Sequence, residues 1–183
     1  MNETSEPTPR AILLGVQLDG ISDEEFRESL AELGRLAHTL GYEVAFEVTQ
    51  KRHSFDRAAY LGPGKVTEIP PLVASAGSVG DQVARVVVLV DHEVTPSQAR
   101  NLEKASGVEV LDRTAVILEI FHRHAKSRQA KAQVEMVRLQ YLAPRMREQA
   151  QGNKGDRVRG GGRAPANRDS SSTAARSAIA SPS

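Results

Sequence analysis

Apolar residues in the first half of the chain alternate between strand-like runs and helix-like spacing. Residues 11–18 form an almost continuous apolar run, which is typical of a strand buried on both faces. Ser22 and Glu25 then form a capping-box pattern before a segment with helical apolar spacing, and Gly41 ends that segment. Residues 43–49 alternate and predict a half-buried strand.

The same strand and helix alternation continues along the chain. Residues 51–60 are polar and predict a loop, and Gly62-Pro63-Gly64-Lys65 predicts the start of a short helix. Residues 85–91 form the most apolar run, Thr95-Pro96 suits the N-cap and first position of another helix, and 108–111 predicts a last short strand. The order β-α-β-α-β-α-β predicts an α/β fold, a small and mostly parallel sheet flanked by helices.

From Asp112 the pattern changes to a long helix that continues to about residue 149, with a soft stretch near Ser127. Two apolar stripes run along it, so the helix needs two partners, the sheet domain and something else. The first stripe contains Ile117, Leu118, Phe121, Ala125, Ala132, Met136, Leu139 and Ala143, and the second contains Val134, Val137 and Tyr141.

These patterns divide the chain into four parts. We expect a disordered lead at 1–10, an α/β N-terminal domain at 11–112, a long helical arm at 113–150, and a disordered basic tail at 151–183. The tail prediction rests on Gly, Arg, Ser and Ala residues without apolar periodicity.

Composition and charge narrow the class of protein. The 183 residues include no Cys, which excludes disulfides and thiolate metal sites. The polar start and the short apolar runs predict a cytoplasmic protein without a membrane span. Residues 1–121 carry a net charge of −8 and residues 122–183 carry +9. That basic end is either a solubilising tail or an arm for phosphate backbones.

The motif that most clearly resembles a binding site is Gly62-Pro63-Gly64-Lys65, because the N-terminus of a helix favours anions. It is not a Walker A loop, since Ala59 and Val66 stand where that motif needs Gly and Ser or Thr. The favoured interpretation is a tight turn whose Lys faces water.

Other polar clusters carry weaker signals. The five His residues show no metal-ligand spacing, so we expect no metal site. Asp91-His92-Glu93 follows a parallel strand, where ligands bind in such sheets, but a helix-capping, loop-forming role is favoured there. Asp112-Arg113-Thr114 predicts a structural hinge in which Asp or Thr caps the following helix.

Four motifs follow one another along the chain. They are Leu61-Gly62-Pro63-Gly64-Lys65-Val66-Thr67-Glu68, Thr95-Pro96-Ser97-Gln98-Ala99-Arg100-Asn101-Leu102-Glu103, Val110-Leu111-Asp112-Arg113-Thr114 with Ile117-Leu118-Glu119-Ile120-Phe121, and Gln133-Val134-Glu135 with Leu139-Gln140-Tyr141 and Pro144-Arg145. In this order they resemble the N-terminal region of the HflX-type GTPases. The resemblance covers about residues 10–149.

The resemblance implies an α/β domain, a helical hairpin and then a G domain with a P-loop. Proteins of this family hydrolyse GTP with Mg²⁺, bind the large ribosomal subunit and split stalled ribosomes, and the N-terminal domain of some has been associated with ATP. The second stripe of the long helix would then pack on the other helix of the hairpin. We expect no catalytic residues and no cofactor in this chain, because it contains no P-loop, so it should not be a GTPase.

The sequence departs from the family pattern at three positions and in its tail. His124 stands where the family usually has Arg, and Gln129-Ala130 stands where it has Glu-Gly. When residues 162–181 are written in GC-rich codons, a shifted register encodes Gly-Glu-Ser-Arg-Leu-Glu-Leu-Asp-Arg-Arg, which resembles the family's hairpin loop and second helix. We therefore hypothesise that the tail of this truncated chain is frameshifted.

The sequence thus predicts a ribosome-binding module without its own GTPase centre. The expected rRNA contacts are Lys131, Arg138, Arg145, Arg147, Lys154, Arg157 and Arg159. The alternatives are an ATP-binding α/β domain that uses Gly62, Gly64 and Lys65, and a non-functional fragment. An unpaired helix seam also favours self-association.

Overall fold

The computed structural model describes residues 6–159, with the side chains of 6–148 and 150. Its strands are β1 (Arg10–Leu18), β2 (Glu43–Arg52), β3 (Ser78–Val79), β4 (Gln82–Val83), β5 (Val86–Val90) and β6 (Val110–Asp112). Its helices are α1 (Asp23–Thr39), α2 (Pro63–Val66), α3 (Ile69–Gly77), α4 (Pro96–Ser106), α5 (Arg113–His124) and α6 (Arg128–Arg159).

Four strands form one parallel sheet in the order β2-β1-β5-β6. The central strands are the most apolar ones, since Ile12, Leu14, Val87 and Val88 are fully buried. The predicted α/β fold with a mostly parallel sheet is confirmed.

Helices cover both faces of the sheet because β1 and β5 are apolar on both sides. Ile12 and Val88 pack with residues of α3 and α4 on one face. Leu13 and Leu89 pack with α1 and α5 on the other face. Strand alternation sends neighbouring side chains to opposite faces, so each run of apolar residues serves two cores.

The predicted helix caps are present. Ser22 Oγ accepts a hydrogen bond from the Glu25 N–H, and the Glu25 carboxylate accepts one from the Ser22 N–H, which completes the capping box of α1. Thr95 and Gln98 form the same arrangement at α4. Gly107 ends α4 in the left-handed conformation with a φ of 75°, which glycine adopts without strain.

Several predicted boundaries differ from the structure. Strand β2 continues to Arg52, two positions into the predicted loop, because it pairs with β1 as far as Leu18. A short antiparallel hairpin, β3 with β4, lies between α3 and β5, where the sequence analysis predicted no strand. Strand β6 is confined to Val110–Asp112.

The long helical segment is two helices. Helix α5 ends at His124, Ser127 accepts a hydrogen bond from the Ala130 backbone, and α6 begins at Arg128. This break is the soft stretch predicted near Ser127. Helix α6 continues to Arg159, beyond the start of the predicted tail, and the remainder of the tail, 160–183, lies outside the described residues.

Among residues 6–159, none of the helices combines the length and apolarity that crossing a bilayer requires.

A charge in the central strand should unfold the domain. Val88 is fully buried, so Val88→Asp should lower the free energy of unfolding by about 3–5 kcal/mol, because a lone carboxylate cannot be solvated there. Val83→Asp is the matched control, since Val83 is 85% exposed and the same change should cost under about 0.5 kcal/mol. Urea unfolding followed by circular dichroism measures both. Equal midpoints for the two variants would show that β5 is not the core strand.

Candidate functional site

The Gly62–Lys65 loop, considered above as an anion site or a tight turn, forms the N-terminus of α2, a helix of four residues. Its backbone N–H groups are largely engaged. The Gly62 N–H donates to Gln50 Oε1 at 2.9 Å, Pro63 has no N–H, and the Lys65 N–H donates to the Gly62 carbonyl at 2.9 Å. The Lys65 ammonium lies 2.7 Å from Glu68. Among the N–H groups of this loop in the described structure, that of Gly64 alone has no hydrogen-bond partner. One free N–H is too few to bind a phosphate.

Gly62 has a packing role instead. Its φ of −62° suits any residue, but an added Cβ would overlap the guanidinium of Arg52 and crowd the Gln50 amide. The glycine therefore gives Arg52 room to cross the loop and reach Asp56, 3.9 Å away. This accounts for one glycine of the motif without a ligand.

The carboxyl edge of the sheet, where ligands bind in such folds, is filled by side chains. Tyr60 is fully buried with a positive φ of 67°, and its hydroxyl accepts from the Val16 N–H at 2.9 Å. The same hydroxyl lies 2.8 Å from His92 Nδ1, and Phe55 stacks against both rings. Burial raises the pKa of Tyr60 and lowers the pKa of His92, so both groups stay neutral and the Tyr60 hydroxyl donates a hydrogen bond to His92 Nδ1.

Asp91 lies on the other side of this edge of the sheet. Its Oδ1 accepts from Arg113 Nη1 at 2.8 Å, and Arg113 also pairs with Glu32 on α1. Asp91 Oδ2 is buried without a hydrogen-bond partner among the described residues. The expected loop-forming role of Asp91-His92 stays a prediction, but the contacts of both residues are with the fold itself.

Asp112 joins the sheet domain to the helical arm. It is fully buried at the end of β6 and caps α5, since its Oδ1 accepts from the Ala115 N–H at 2.9 Å. Its Oδ2 accepts from the Val94 N–H at 3.2 Å, from the Tyr141 hydroxyl and from Arg145 Nη2. The Arg145 guanidinium also lies over the Tyr141 ring, 5.0 Å from its centroid. We call these three residues, Asp112, Tyr141 and Arg145, the Asp112 cluster.

A second contact fixes α6 one turn later. Ser97 Oγ donates to Glu148 at 2.8 Å, and Arg100 donates to the Glu148 carbonyl at 3.2 Å. Helix α6 is therefore attached to α4 and β6 through polar groups. Burial raises the pKa of Tyr141, which keeps the hydroxyl protonated and able to donate.

This attachment changes the expected role of Tyr141 in the second stripe of the long helix, while Val137 of the same stripe is 50% exposed. Tyr141 of the second stripe faces the sheet domain, whereas Met136 and Leu139 of the first stripe are 59% and 53% exposed. The expectation that the second stripe awaits another helix is wrong at Tyr141. The physical reason is that the buried Asp112 carboxylate needs donors, and Tyr141 and Arg145 supply them.

The predicted RNA-binding residues fall into three groups. Lys131 and Arg147 are exposed on α6. Arg138 is paired with Glu119 and Glu135 at 3.5 and 3.6 Å, and Arg145 is 8% exposed within the Asp112 cluster. Arg145 is therefore placed where it cannot meet an RNA phosphate in this conformation. The side chains of Lys154, Arg157 and Arg159 lie outside the described residues.

Sequence reasoning missed the most buried polar cluster. It assigned Asp112 to helix capping, which the structure confirms, but placed Tyr141 on an unpaired seam and Arg145 on a surface. A usable signal was present, because Tyr141 and Arg145 are four apart and so share a helix face. Their convergence on Asp112 spans 29 and 33 positions, which periodicity does not reveal.

The fold and its helical arm match two family descriptions. The family described as GTP-binding GTPase N-terminal matches residues 27–122, and the family described as GTP-binding GTPase Middle Region matches residues 124–177. The first match alone covers more than half of the chain, so the chain belongs to the GTP-binding GTPase N-terminal family. More narrowly, it corresponds to the N-terminal region of HflX-type GTPases, as the curated relatives show.

Two relatives are named GTPase HflX. The protein of Gluconacetobacter diazotrophicus is 44% identical over 189 residues, which cover 87% of this chain and 42% of that protein. The protein of Alkalihalophilus pseudofirmus is 42% identical over 135 residues, which cover 74% of this chain and 30% of that protein. The chain thus spans less than half the length of these relatives.

A solved structure shows the same fold. A GTP-binding protein from the archaeon Sulfolobus solfataricus in complex with GDP is 25% identical, with a TM-score of 0.53 over 81% of this chain and 42% of that protein. The similarity covers most of the described α/β domain and arm.

The neutral state of His92 makes the fold sensitive to acid. The pKa of His92 is lowered by burial in the folded chain, so below its unfolded value of 6.5 the unfolded state binds more protons and stability falls. His92→Gln should flatten this decline between about pH 7.5 and 5.5. Urea unfolding across that range measures it. His53, whose pKa is raised by Asp19, is present in both proteins, so its contribution to the pH dependence of stability is the same in both.

The control for this pH profile is His38→Gln, because His38 is exposed. Its profile should follow that of the unmodified chain. A steep acid decline that persists in His92→Gln would locate the sensitive group elsewhere.

Removing the cation of the Asp112 cluster should release α6. Arg145→Ala leaves the buried Asp112 carboxylate without its charge partner, so amide exchange of residues 134–148 should accelerate roughly 100-fold. Arg147→Ala, two positions away and exposed, should leave those rates within about twofold. Hydrogen exchange with mass spectrometry reads both. Similar exchange in the two variants would mean that the cluster does not anchor the helix.

Proposed function

We propose that this chain is a ribosome-binding module from the N-terminal region of a translation-associated HflX-type GTPase, and that it contacts the rRNA of the large subunit in the cytoplasm. The observation that carries the proposal is the anchoring of α6 by the Asp112 cluster, with Lys131 and Arg147 exposed on it. Family membership and the HflX relatives support the class of protein. Ribosome splitting by the full-length protein belongs to the same proposal.

Charge supports an RNA partner. Residues 122–183 carry a net charge of +9, while residues 1–121 carry −8, so a polyanion is attracted to the arm and repelled by the sheet domain. An anchored helix presents its cations at fixed spacing, which suits the phosphates of a folded RNA recognised by shape.

Within this proposal Arg145 is a positioning residue. Its guanidinium neutralises Asp112 and sets the direction in which α6 leaves the domain. Arg138 is held by Glu119 and Glu135, so it contributes to binding only if RNA displaces those carboxylates. Lys131 and Arg147 form no ion pair with a carboxylate among the described side chains, so they can bind phosphate without first breaking one.

The described residues give little support for the binding or hydrolysis of a nucleotide. The Gly62–Lys65 loop leaves only the Gly64 N–H open, and its lysine is paired with Glu68. These residues do not fit the phosphates of GTP or ATP, which need several convergent N–H donors. We therefore derive no hydrolytic step from this chain, and the GTP and Mg²⁺ site of the family belongs to its G domain.

The RNA proposal is tested by binding to purified large ribosomal subunits at several salt concentrations. Lys131→Ala/Arg147→Ala should weaken binding about tenfold at low salt and reduce the slope of log K against log salt by about 1.5. The physical reason is that two fewer phosphates release their counterions. Co-sedimentation or fluorescence anisotropy measures the binding constant.

The matched control is Arg35→Ala/Arg57→Ala, which removes the same charge from exposed positions of the sheet domain. It should leave the salt slope unchanged. Equal losses in both double variants would show that binding follows net charge, and a chain that fails to bind the subunit at low salt would refute the proposal.

A further inference from the structure

The edge strand β2 has an open outer side. It contains ten residues and pairs with β1 on its inner side. The opposite edge of the sheet, β6, has three residues and lies beside α6, which bonds to Asp112. A long edge strand presents a row of backbone N–H and carbonyl groups with which another strand can pair.

The pairing of β1 shows which backbone groups of β2 face outward. The Leu14 carbonyl accepts a hydrogen bond from the Asp91 N–H, so Leu14 faces β5, and residues 13, 15 and 17 face β2. The β2 residues opposite these three are Glu47, Thr49 and Lys51. In a parallel pair a residue bonds to the two neighbours of the residue opposite it, so Glu47, Thr49 and Lys51 turn their own backbone groups away from β1.

These outward groups are free to pair. Within residues 6–159, the N–H and carbonyl groups of Glu47, Thr49 and Lys51 have no hydrogen-bond partner in another element or loop. The side chains of all three are exposed and share one face of the strand. We call these three residues the β2 edge.

We propose that the β2 edge pairs with the β2 edge of a second copy of this chain, in the antiparallel direction, about a two-fold axis at Thr49. In this register Thr49 lies opposite the partner's Thr49, and Glu47 lies opposite the partner's Lys51. Every opposed residue then has its N–H and carbonyl directed at the partner, which allows about six hydrogen bonds across the axis.

The side chains of the β2 edge favour a second copy as the partner strand. The order Glu-Val-Thr-Gln-Lys at 47–51 is complementary in charge to its own reverse, because a carboxylate and an ammonium stand at equal distances from the central threonine. Opposite charges and threonine pairs directly across antiparallel strands stabilise the pairing. A second copy supplies both kinds of contact on each side of the axis.

Other registers of the same two strands are poorer. Moving the axis by one residue in either direction leaves two opposed positions with outward backbone groups and separates Glu47 from the partner's Lys51. Moving it by two residues sets Glu47 against the partner's Glu47, or Lys51 against the partner's Lys51, and like charges directly opposite are destabilising. Charge and backbone direction therefore select the same register.

The surroundings of the β2 edge are compatible with this pairing. Lys51 lies 2.8 Å from Asp23, but both side chains are about 70% exposed, so this ion pair is weak and leaves the ammonium accessible to a second carboxylate. The strand order places β2 at the end of the sheet opposite β6, so α6 of each copy, with Lys131 and Arg147, stays uncovered. Three residues from each copy bury well under about 800 Å², so the dimer should be weak.

Sedimentation velocity of the full chain at low salt tests the proposal. The unmodified chain should be monomeric at about 1 µM and mostly dimeric at about 500 µM, as expected for a small interface. Glu47→Lys sets two lysines against each other on both sides of the axis and should keep the chain monomeric. A chain that is monomeric at about 500 µM without any substitution would mean that this edge does not pair with itself, and would overturn the proposal.

The matched control is Glu28→Lys, which makes the same change of charge at an exposed position of α1, away from the β2 edge. It should dimerise like the unmodified chain. Equal loss of dimer in Glu28→Lys and Glu47→Lys would show that net charge governs the association and would contradict the assignment of the edge.

Charge exchange between two variants gives a test that loss of folding cannot imitate. Lys51→Glu alone should be monomeric, since it opposes two carboxylates. An equal mixture of Glu47→Lys and Lys51→Glu chains should restore the dimer as a heterodimer, because every opposed pair then carries opposite charges. A mixture that stays monomeric while the unmodified chain dimerises would refute this register.

The absence of Cys from the chain allows the axis to be located by disulfide formation. Thr49→Cys should cross-link with itself, because the two Cα atoms at the axis are about 5.5 Å apart. Glu47→Cys should not, because residue 47 lies about 14 Å from its equivalent in this register. Cross-linking of Glu47→Cys without cross-linking of Thr49→Cys would place the axis elsewhere and overturn the proposal.

Discussion

The buried carboxylate of Asp112 is the group on which the relation between the sheet domain and the helical arm depends. It lies at the end of the last strand without solvent access, so its two oxygens must find donors within the protein. The first α5 turn, the loop before α4 and two side chains of α6 provide them. One residue thus ends β6, starts α5 and attaches α6.

This arrangement separates two kinds of surface on one helix. The face with Tyr141 and Arg145 is polar and buried against the domain, while the face with Met136 and Leu139 is apolar and exposed. Soluble helices usually show the reverse. The polar contacts explain why α6, a helix of low overall amphipathicity, packs on the domain in one orientation about its own axis. They also explain why its apolar face is exposed and available to a partner.

Local sequence signals predicted most of the α/β domain. The capping box at Ser22, the N-cap at Thr95 and the apolar runs of β1 and β5 each depend on residues close in sequence, and all appear as expected. The β3–β4 hairpin was not predicted, because its two-residue strands lack an apolar pattern. The sequence left the role of the Gly62 motif open. The hydrogen bond from the Gly62 N–H to the side chain of Gln50, twelve positions away, shows that this N–H is occupied by the fold.

The sequence by itself determined the class of fold, since parallel strands and capped helices follow from short-range periodicity. It also determined the contrast in charge between residues 1–121 and 122–183. Only the tertiary structure decided which face of α6 meets the domain. Apolar periodicity favoured the stripe with Met136 and Leu139, but the desolvated Asp112 carboxylate requires Tyr141 and Arg145, and an unsatisfied buried charge costs more free energy than several exposed apolar side chains.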